Sequence, residues 1–195
     1  QSVWCNSRAL ALVGYDETTT PPAGGVIGRG ADGALTGFLA EAALSPVRKC
    51  TRETPEQLRE ACDYAVCYLN SLGYTGFKEP MADEAILQAY AAACDAGTWS
   101  IHGAAHITAY SALTDGAVPM EEINHLRDTY ARDDLRLEYA KLFLDGVAPS
   151  HTASFLDPYQ AAVGYDPSTH DPDATLLMAP DQLCAKVTEL DRAGY

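Results

Sequence analysis

The sequence predicts an α/β fold, in which strands alternate with helices as successive right-handed βα units with parallel strands. From residue 54 onward, apolar residues recur at helical spacing in four segments, and short strand-like runs lie between them. A chain of 195 residues, 47% of them hydrophobic, is long enough to bury a core. These observations indicate a soluble globular protein built on a parallel sheet.

The first helix begins at a capping box, because Thr54 is followed by Pro55 at the first helical position and by Gln57. Gly73 ends this helix. The elements predicted after it are, in order, a strand at 74–77, a helix at about 83–95, a strand at 98–104, a helix at about 119–132, the strand that contains Lys141, and a helix at about 180–193 with the stripe Leu183, Val187 and Leu190.

Residues 1–53 lack this alternation and are predicted to form an irregular, cap-like excursion. Residues 16–35 are rich in Thr, Pro and Gly, and a hairpin is predicted near residues 31–33. The predicted organisation is therefore an excursion over 1–53 and βα units over 54–195.

Charge limits the partners that the protein can have. Acidic residues outnumber basic ones 27 to 13, and the formal charge of -14 repels phosphate backbones and anionic lipid. We expect a small-molecule substrate, no nucleic acid and no membrane. The cysteines lack a CxxC pair and fall mostly among apolar residues, which indicates buried free thiols in a reducing compartment and a cytoplasmic location.

Lys141 stands in the middle of a strand that otherwise looks buried. One face of residues 139–145 is aliphatic: Ala140, Leu142 and Leu144. The other face carries both charges and both aromatic rings: Tyr139, Lys141, Phe143 and Asp145. Such a mixed face is expected inside a parallel barrel near the carboxyl ends of its strands, where active sites are built.

Three explanations account for an interior lysine. Lys141 could form a structural ion pair with Asp145 or another carboxylate. It could be a desolvated nucleophilic amine that forms a Schiff base. It could be carboxylated by carbon dioxide to an anionic carbamate that bridges two metal ions. Residue spacing alone does not separate these three.

The segment KLFLDG (141–146), followed after a gap by HTASFLDPY (151–159), resembles the amidohydrolase superfamily, specifically the amidohydrolase-3 branch that includes N-substituted formamide deformylases. Three further segments resemble that family in the same order: SVWCNSRAL (2–10), LNSLGYTGF (69–77) and LLMAPDQLCAKVTELDRAGY (176–195).

The resemblance implies a partial TIM-like (β/α)8 barrel of the metal-dependent hydrolase type. Residues 1–53 would follow the first barrel strand, and residues 54–195 would supply about strands two to four and the helix leading to strand five. In this family two divalent metals, usually zinc, activate a hydroxide that attacks C–N bonds of amides, formamides or cyclic relatives. Lys141 would be the carboxylated metal-bridging lysine. The other ligands would lie outside the chain, which alone is expected to be inactive.

The same comparison implies substrate-binding residues at Trp4, Asn6, Asp145, His151 and Thr152. Asp145 is also expected to shape the loop exit by accepting backbone hydrogen bonds.

Two further histidines, His102 and His106, lie near a predicted strand end. His102 and His106 are four apart, but we expect them at a strand end and in the loop after it, as ordinary histidines rather than ligands.

The alternative function is a non-catalytic barrel fragment or degenerate homologue that acts as a binding or structural module. The expected protein partner is a second copy or the remaining part of the parent chain.

Overall fold

The structure is a computed structural model, and it describes residues 2–22, 25–111, 116–148, 152–161 and 166–195. The chain divides into two compact units, Gln1–Glu53 and Thr54–Tyr195. No helix in these described ranges is long and apolar enough to cross a bilayer.

The first unit contains a three-stranded antiparallel sheet in the order β1–β3–β2. Its elements are β1 (Ser2–Trp4), α1 (Ser7–Leu12), β2 (Gly25–Arg29), β3 (Leu35–Glu41), a 3-10 turn (Ala42–Leu44) and α2 (Ser45–Cys50). The hairpin predicted near residues 31–33 forms between β2 and β3. The predicted irregular excursion is wrong for residues 25–41, because Ile27 and Leu39 pair across the ladder and are both buried.

The second unit alternates helices and strands as the sequence predicts. Its elements are α3 (Pro55–Ser71), β4 (Gly76–Ala82), α4 (Glu84–Asp95), β5 (His102–Ser111), β6 (Gly116–Ala117), α5 (Met120–Tyr130), β7 (Leu135–Leu142), a 3-10 turn (Pro167–Thr169) and α6 (Pro180–Arg192).

Local hydrogen bonds explain where the first two of these helices begin. The backbone N–H of Gln57 donates to Thr54 Oγ1 at 3.2 Å, and the Thr54 N–H donates to Gln57 Oε1 at 2.9 Å. The predicted capping box of α3 is therefore confirmed. At the next helix, Asp83 caps α4 by accepting a hydrogen bond from the N–H of Ile86 at 3.0 Å.

The sheet of the second unit has a parallel centre with β5 between β4 and β7, and short β6 pairs antiparallel with the end of β5. Side chains of β5 alternate between two environments. Ala105, Ile107 and Ala109 join the core with residues of α3, α4 and α5. Ala104, His106 and Thr108 point to the opposite side and are only half-buried. We call this second side of the sheet the open face.

Two strands begin later than predicted, β4 by two residues and β5 by four. Before β5, Trp99 and Ile101 are buried without belonging to the strand. The Trp99 ring packs against Phe77 and Tyr90, and its Nε1–H donates to the carbonyl oxygen of Asp134 at 3.1 Å. Because this aromatic cluster buries Trp99, apolar and polar residues alternate over 98–101 as they would in a strand.

Two burial predictions are also wrong. All six cysteines are free, but Cys50, Cys67 and Cys184 are exposed, because they lie on the outer sides of their helices. On α6, Lys186 and Leu190 face the interior while Val187 is 48% exposed.

Lys186 is the most enclosed lysine of the described ranges, at 8% exposure. Its Nζ donates to the carbonyl oxygen of Val118 at 3.1 Å and to Glu189 Oε2 at 2.9 Å. These two bonds compensate the desolvation of the ammonium group.

Candidate functional site

Lys141 lies on the open face close to the carboxyl end of β7. It pairs with Thr108 of β5 in the parallel ladder, and Tyr139 pairs with His106 two positions earlier. Ala140 and Leu142, which alternate with these residues, pack against the hydrophobic core as predicted. The strand therefore points Lys141 away from the helices.

The Lys141 side chain is half-buried, and its Nζ lies 4.7 Å from the centroid of the Phe143 ring. This is the geometry of a cation–π contact. Within the described part of the chain, the ammonium group has no carboxylate partner and no hydrogen bond. The first of the three explanations, an ion pair with Asp145 or another carboxylate, is thus not formed with Asp145 or any other described carboxylate.

Asp145 instead organises the loop that follows β7. Its Oδ2 accepts a hydrogen bond from the backbone N–H of Ser154 at 3.0 Å, which is the backbone-accepting role predicted from the sequence. The Gly146 N–H donates to the carbonyl oxygen of Thr152 at 2.9 Å, and the Val147 N–H donates to Thr152 Oγ1 at 3.0 Å. Asp145 and Thr152 thus close one loop at the end of the lysine strand.

His106 is a candidate site residue that sequence reasoning placed wrongly. It lies within β5 rather than in a loop, on the open face with Lys141. Its Nδ1 is 2.9 Å from the carbonyl oxygen of Glu79, and its ring centroid is 5.2 Å from that of Tyr139. Period-two alternation along 102–111 could have placed His106 here if the start of β5 had been assigned correctly.

His102 lies at the opposite end of β5, four residues from His106. Its Nδ1 is 2.8 Å from Asp134 Oδ1, and both side chains are mostly exposed. A cavity of about 320 Å³ opens here, with Lys78, Arg136 and His102 among its lining residues. This is the amino-terminal edge of the parallel strands. Lys141 lies near the opposite, carboxyl end of β7 and does not line this cavity.

The other predicted substrate-binding residues lie elsewhere in the chain. Trp4 is 75% exposed in the first unit, with its ring centroid 5.4 Å from that of Phe38. Asn6 caps α1, because its Oδ1 accepts the N–H of Ala9 at 2.9 Å. His151 lies outside the described residues. A substrate-binding role for each of these three stays a prediction.

On the helix side of the sheet, the Glu79 carboxylate contacts the Tyr90 hydroxyl. Its Oε2 lies 3.4 Å from the Tyr90 hydroxyl, which donates to it. Burial, and then the neighbouring Glu79 carboxylate, raise the pKa of Tyr90 far above its ordinary value. Tyr90 therefore stays a neutral hydrogen-bond donor.

A metal site needs several ligand side chains close together. Within the ranges that the structure describes, no group of three or more His, Cys, Asp or Glu side chains could hold a metal ion. The described residues therefore do not complete a metal coordination shell around Lys141.

Two solved structures are similar to the chain in fold. One is an uncharacterized metal-dependent hydrolase from Pyrococcus furiosus, with a TM-score of 0.63 and 20% identity. The other is an uncharacterized metal-dependent hydrolase from Pyrococcus horikoshii OT3, with a TM-score of 0.63 and 24% identity. The alignments cover 99% and 98% of this chain but only 36% and 35% of those chains. The chain thus spans about a third of the length of either structure.

No curated protein matches the chain. The family match, in contrast, is complete: residues 1–195 match the amidohydrolase-3 model, described as Amidohydrolase family. This match confirms the resemblance to the amidohydrolase-3 branch that the KLFLDG segment and the three further segments indicated. The chain belongs to the amidohydrolase family.

Proposed function

We propose that the chain is the central part of a metal-dependent amidohydrolase that hydrolyses C–N bonds of amides, formamides or cyclic relatives. Lys141 is its carboxylated metal-bridging lysine. The observation that carries the proposal is a half-buried lysine on the open face, near the carboxyl end of a parallel strand, with no carboxylate partner among the described residues. Two divalent metals, when bound, would polarise the scissile carbonyl and lower the pKa of a bound water.

The sheet topology supports a barrel segment. Strands β4, β5 and β7 follow one another in space in their chain order, all parallel, and helices pack on one side of them. This is the arrangement of consecutive βα units in a (β/α)8 barrel, in which the uncovered side faces the barrel interior. The remaining metal ligands and strands belong, in this proposal, to the rest of a longer polypeptide.

The role of this chain's own residues follows from the geometry. Carboxylation turns the Lys141 ammonium into an anion, so that its position beside Thr108 becomes an attachment point for cations. Phe143 covers one side of the Lys141 amine, while the closed loop of Asp145 and Thr152 fixes the end of the strand.

The test uses the full-length polypeptide with its metals, purified as wild type and as Lys141→Arg. Arginine keeps the positive charge but does not form the carbamate. We expect bicarbonate to increase zinc uptake by metal-depleted wild type and to leave the variant unchanged. Amine release from formanilide and acetanilide, and ring opening of hydantoin to the N-carbamoyl amino acid, should each fall in the variant. The loss should exceed the 10–100-fold typical of mutating a residue that only supports a metal ligand.

The result would favour the non-catalytic module instead if wild type held no metal and released no amine from any probe. A third outcome, trapping of Lys141 by borohydride with a carbonyl compound, would favour the Schiff-base reading.

A further inference from the structure

The neighbourhood of His106 is irregular on the β4 side. Glu79 pairs with Ala105 and Ala82 pairs with Ile107, so Pro80 and Met81 together stand opposite the single residue His106. Such a bulge interrupts the regular ladder and re-aims side chains, and bulges are over-represented beside active sites. At this interruption the His106 imidazole bridges to β4 by its contact with the Glu79 carbonyl oxygen.

That contact fixes the tautomer of the ring. A carbonyl oxygen only accepts hydrogen bonds, so the atom 2.9 Å from it, Nδ1, carries the proton. In the neutral imidazole, Nε2 then bears a lone pair and is an acceptor. No described residue donates a hydrogen bond to this atom. His106 therefore presents an oriented acceptor that has no partner among the described residues.

The acceptor lies close to the candidate site. His106 pairs with Tyr139, and Lys141 follows Tyr139 by two residues on the same face of β7. Strand spacing and rise per residue place the Cα atoms of His106 and Lys141 about 8 Å apart. A small ligand held at Lys141 can thus reach the His106 ring.

We propose that His106 binds the substrate by accepting a hydrogen bond at Nε2 from a substrate N–H, and so selects secondary amides over their N-alkylated counterparts. The inference rests on the proposed function, because it assumes a substrate held at Lys141. A tertiary amide has no proton to offer and would leave Nε2 without a partner. Sites that hydrogen-bond a substrate N–H discriminate strongly against analogues that lack it.

A purely structural His106, which only bridges the bulge, makes a different prediction. Two substitutions separate the two roles. In His106→Asn, the side-chain amide can replace Nδ1 as donor to Glu79, but nothing reaches the Nε2 position. In His106→Gln, the terminal amide reaches the Nε2 position, while the donor at Nδ1 is lost.

The experiment measures kcat/KM for formanilide and for N-methylformanilide on the full-length metal-loaded polypeptide, together with thermal unfolding. We expect His106→Asn to keep the unfolding midpoint and to lower the formanilide to N-methylformanilide ratio by about 10–100-fold. His106→Gln should lower the midpoint and keep part of the ratio. An unchanged ratio in His106→Asn would overturn the proposal.

A second measurement keeps this test separate from that of hydrolysis. The ¹⁵N shift of His106 Nε2, assigned by its loss in His106→Asn, is followed while formanilide or N-methylformanilide is added. A shift with formanilide alone supports the acceptor role even if neither compound is hydrolysed, in which case only the proposed function fails. No shift with formanilide, or an equal shift with both compounds, overturns the inference whatever the turnover.

Discussion

Replacing Lys141 and Lys186 with Met, one at a time, tests whether either lysine holds the fold together. Methionine keeps most of the unbranched hydrocarbon chain and removes the ammonium group, so packing changes little. The two lysines differ in their contacts: Lys186 donates two hydrogen bonds, whereas Lys141 touches a ring.

The contacts of each lysine determine how much the free energy of unfolding should fall in each variant. Lys141→Met removes one cation–π contact, worth about 0.5–1 kcal/mol, so the free energy of unfolding should fall by no more than about 1 kcal/mol. Lys186→Met leaves the carbonyl oxygen of Val118 without its donor, which costs about 1–3 kcal/mol. The partner Glu189 is 51% exposed and adds at most about 0.5 kcal/mol. We expect a loss of about 2 kcal/mol for Lys186→Met.

Urea unfolding of the 195-residue chain measures both values by tryptophan fluorescence. The chain has two tryptophans. A Trp4→Phe background leaves Trp99, which is buried in the same unit as both lysines, as the reporter. A loss above about 3 kcal/mol in Lys141→Met would refute the reasoning, because that is the cost of breaking a buried ion pair.

Three further predictions concern stability and thiol chemistry. Thr54→Ala should lower the free energy of unfolding by about 1 kcal/mol through loss of the cap, and Thr54→Ser should restore most of it, as measured by the urea midpoint. Hydrogen bonds from Arg132 lower the pKa of Asp95. Because the folded carboxyl has the lower pKa, its stabilising contribution is present above pH about 4 and is lost as the pH falls through the folded pKa. Thermal midpoints measured from about pH 5 to about pH 2.5 should therefore fall less steeply in Asp95→Asn than in wild type. Burial is the largest of the causes that raise the pKa of Cys62 to about 11. Iodoacetamide at near-neutral pH should therefore label exposed Cys67 well before Cys62, as measured by mass spectrometry of peptides. Equal labelling of the two thiols would contradict the buried position of Cys62.

Local signals predicted much of the second unit. The capping box at Thr54 and the stop at Gly73 delimit α3 because their hydrogen bonds and backbone angles involve only neighbouring residues. The period of two placed Ala140 on the core side and Lys141 opposite, since no register break lies between Tyr139 and Lys141. These features depend on short stretches of chain, which a sequence displays directly.

Features that depend on distant residues were not predictable. Trp99 looks like a strand residue, but its burial comes from Phe77 and Tyr90, which lie on other elements. Lys186 looks like a surface lysine, yet a carbonyl oxygen from residue 118 makes its burial tolerable. His106 acquired its orientation from a bulge in β4 that only pairing with β5 reveals.

The interruptions in the β5–β7 ladder change how odd and even positions should be compared among relatives. Arg136 pairs with Ala104 and Tyr139 pairs with His106, so two residues of β7 stand opposite one residue of β5. Arg136 and Lys141 consequently share a face although one number is even and the other odd. Counting by twos from Arg136 would assign Lys141 to the core. Deleting one residue at the bulge would make the alternation regular and leave Lys141 opposite Thr108 on the open face. An alignment that moves the gap by a few positions would assign the wrong side chains to the site.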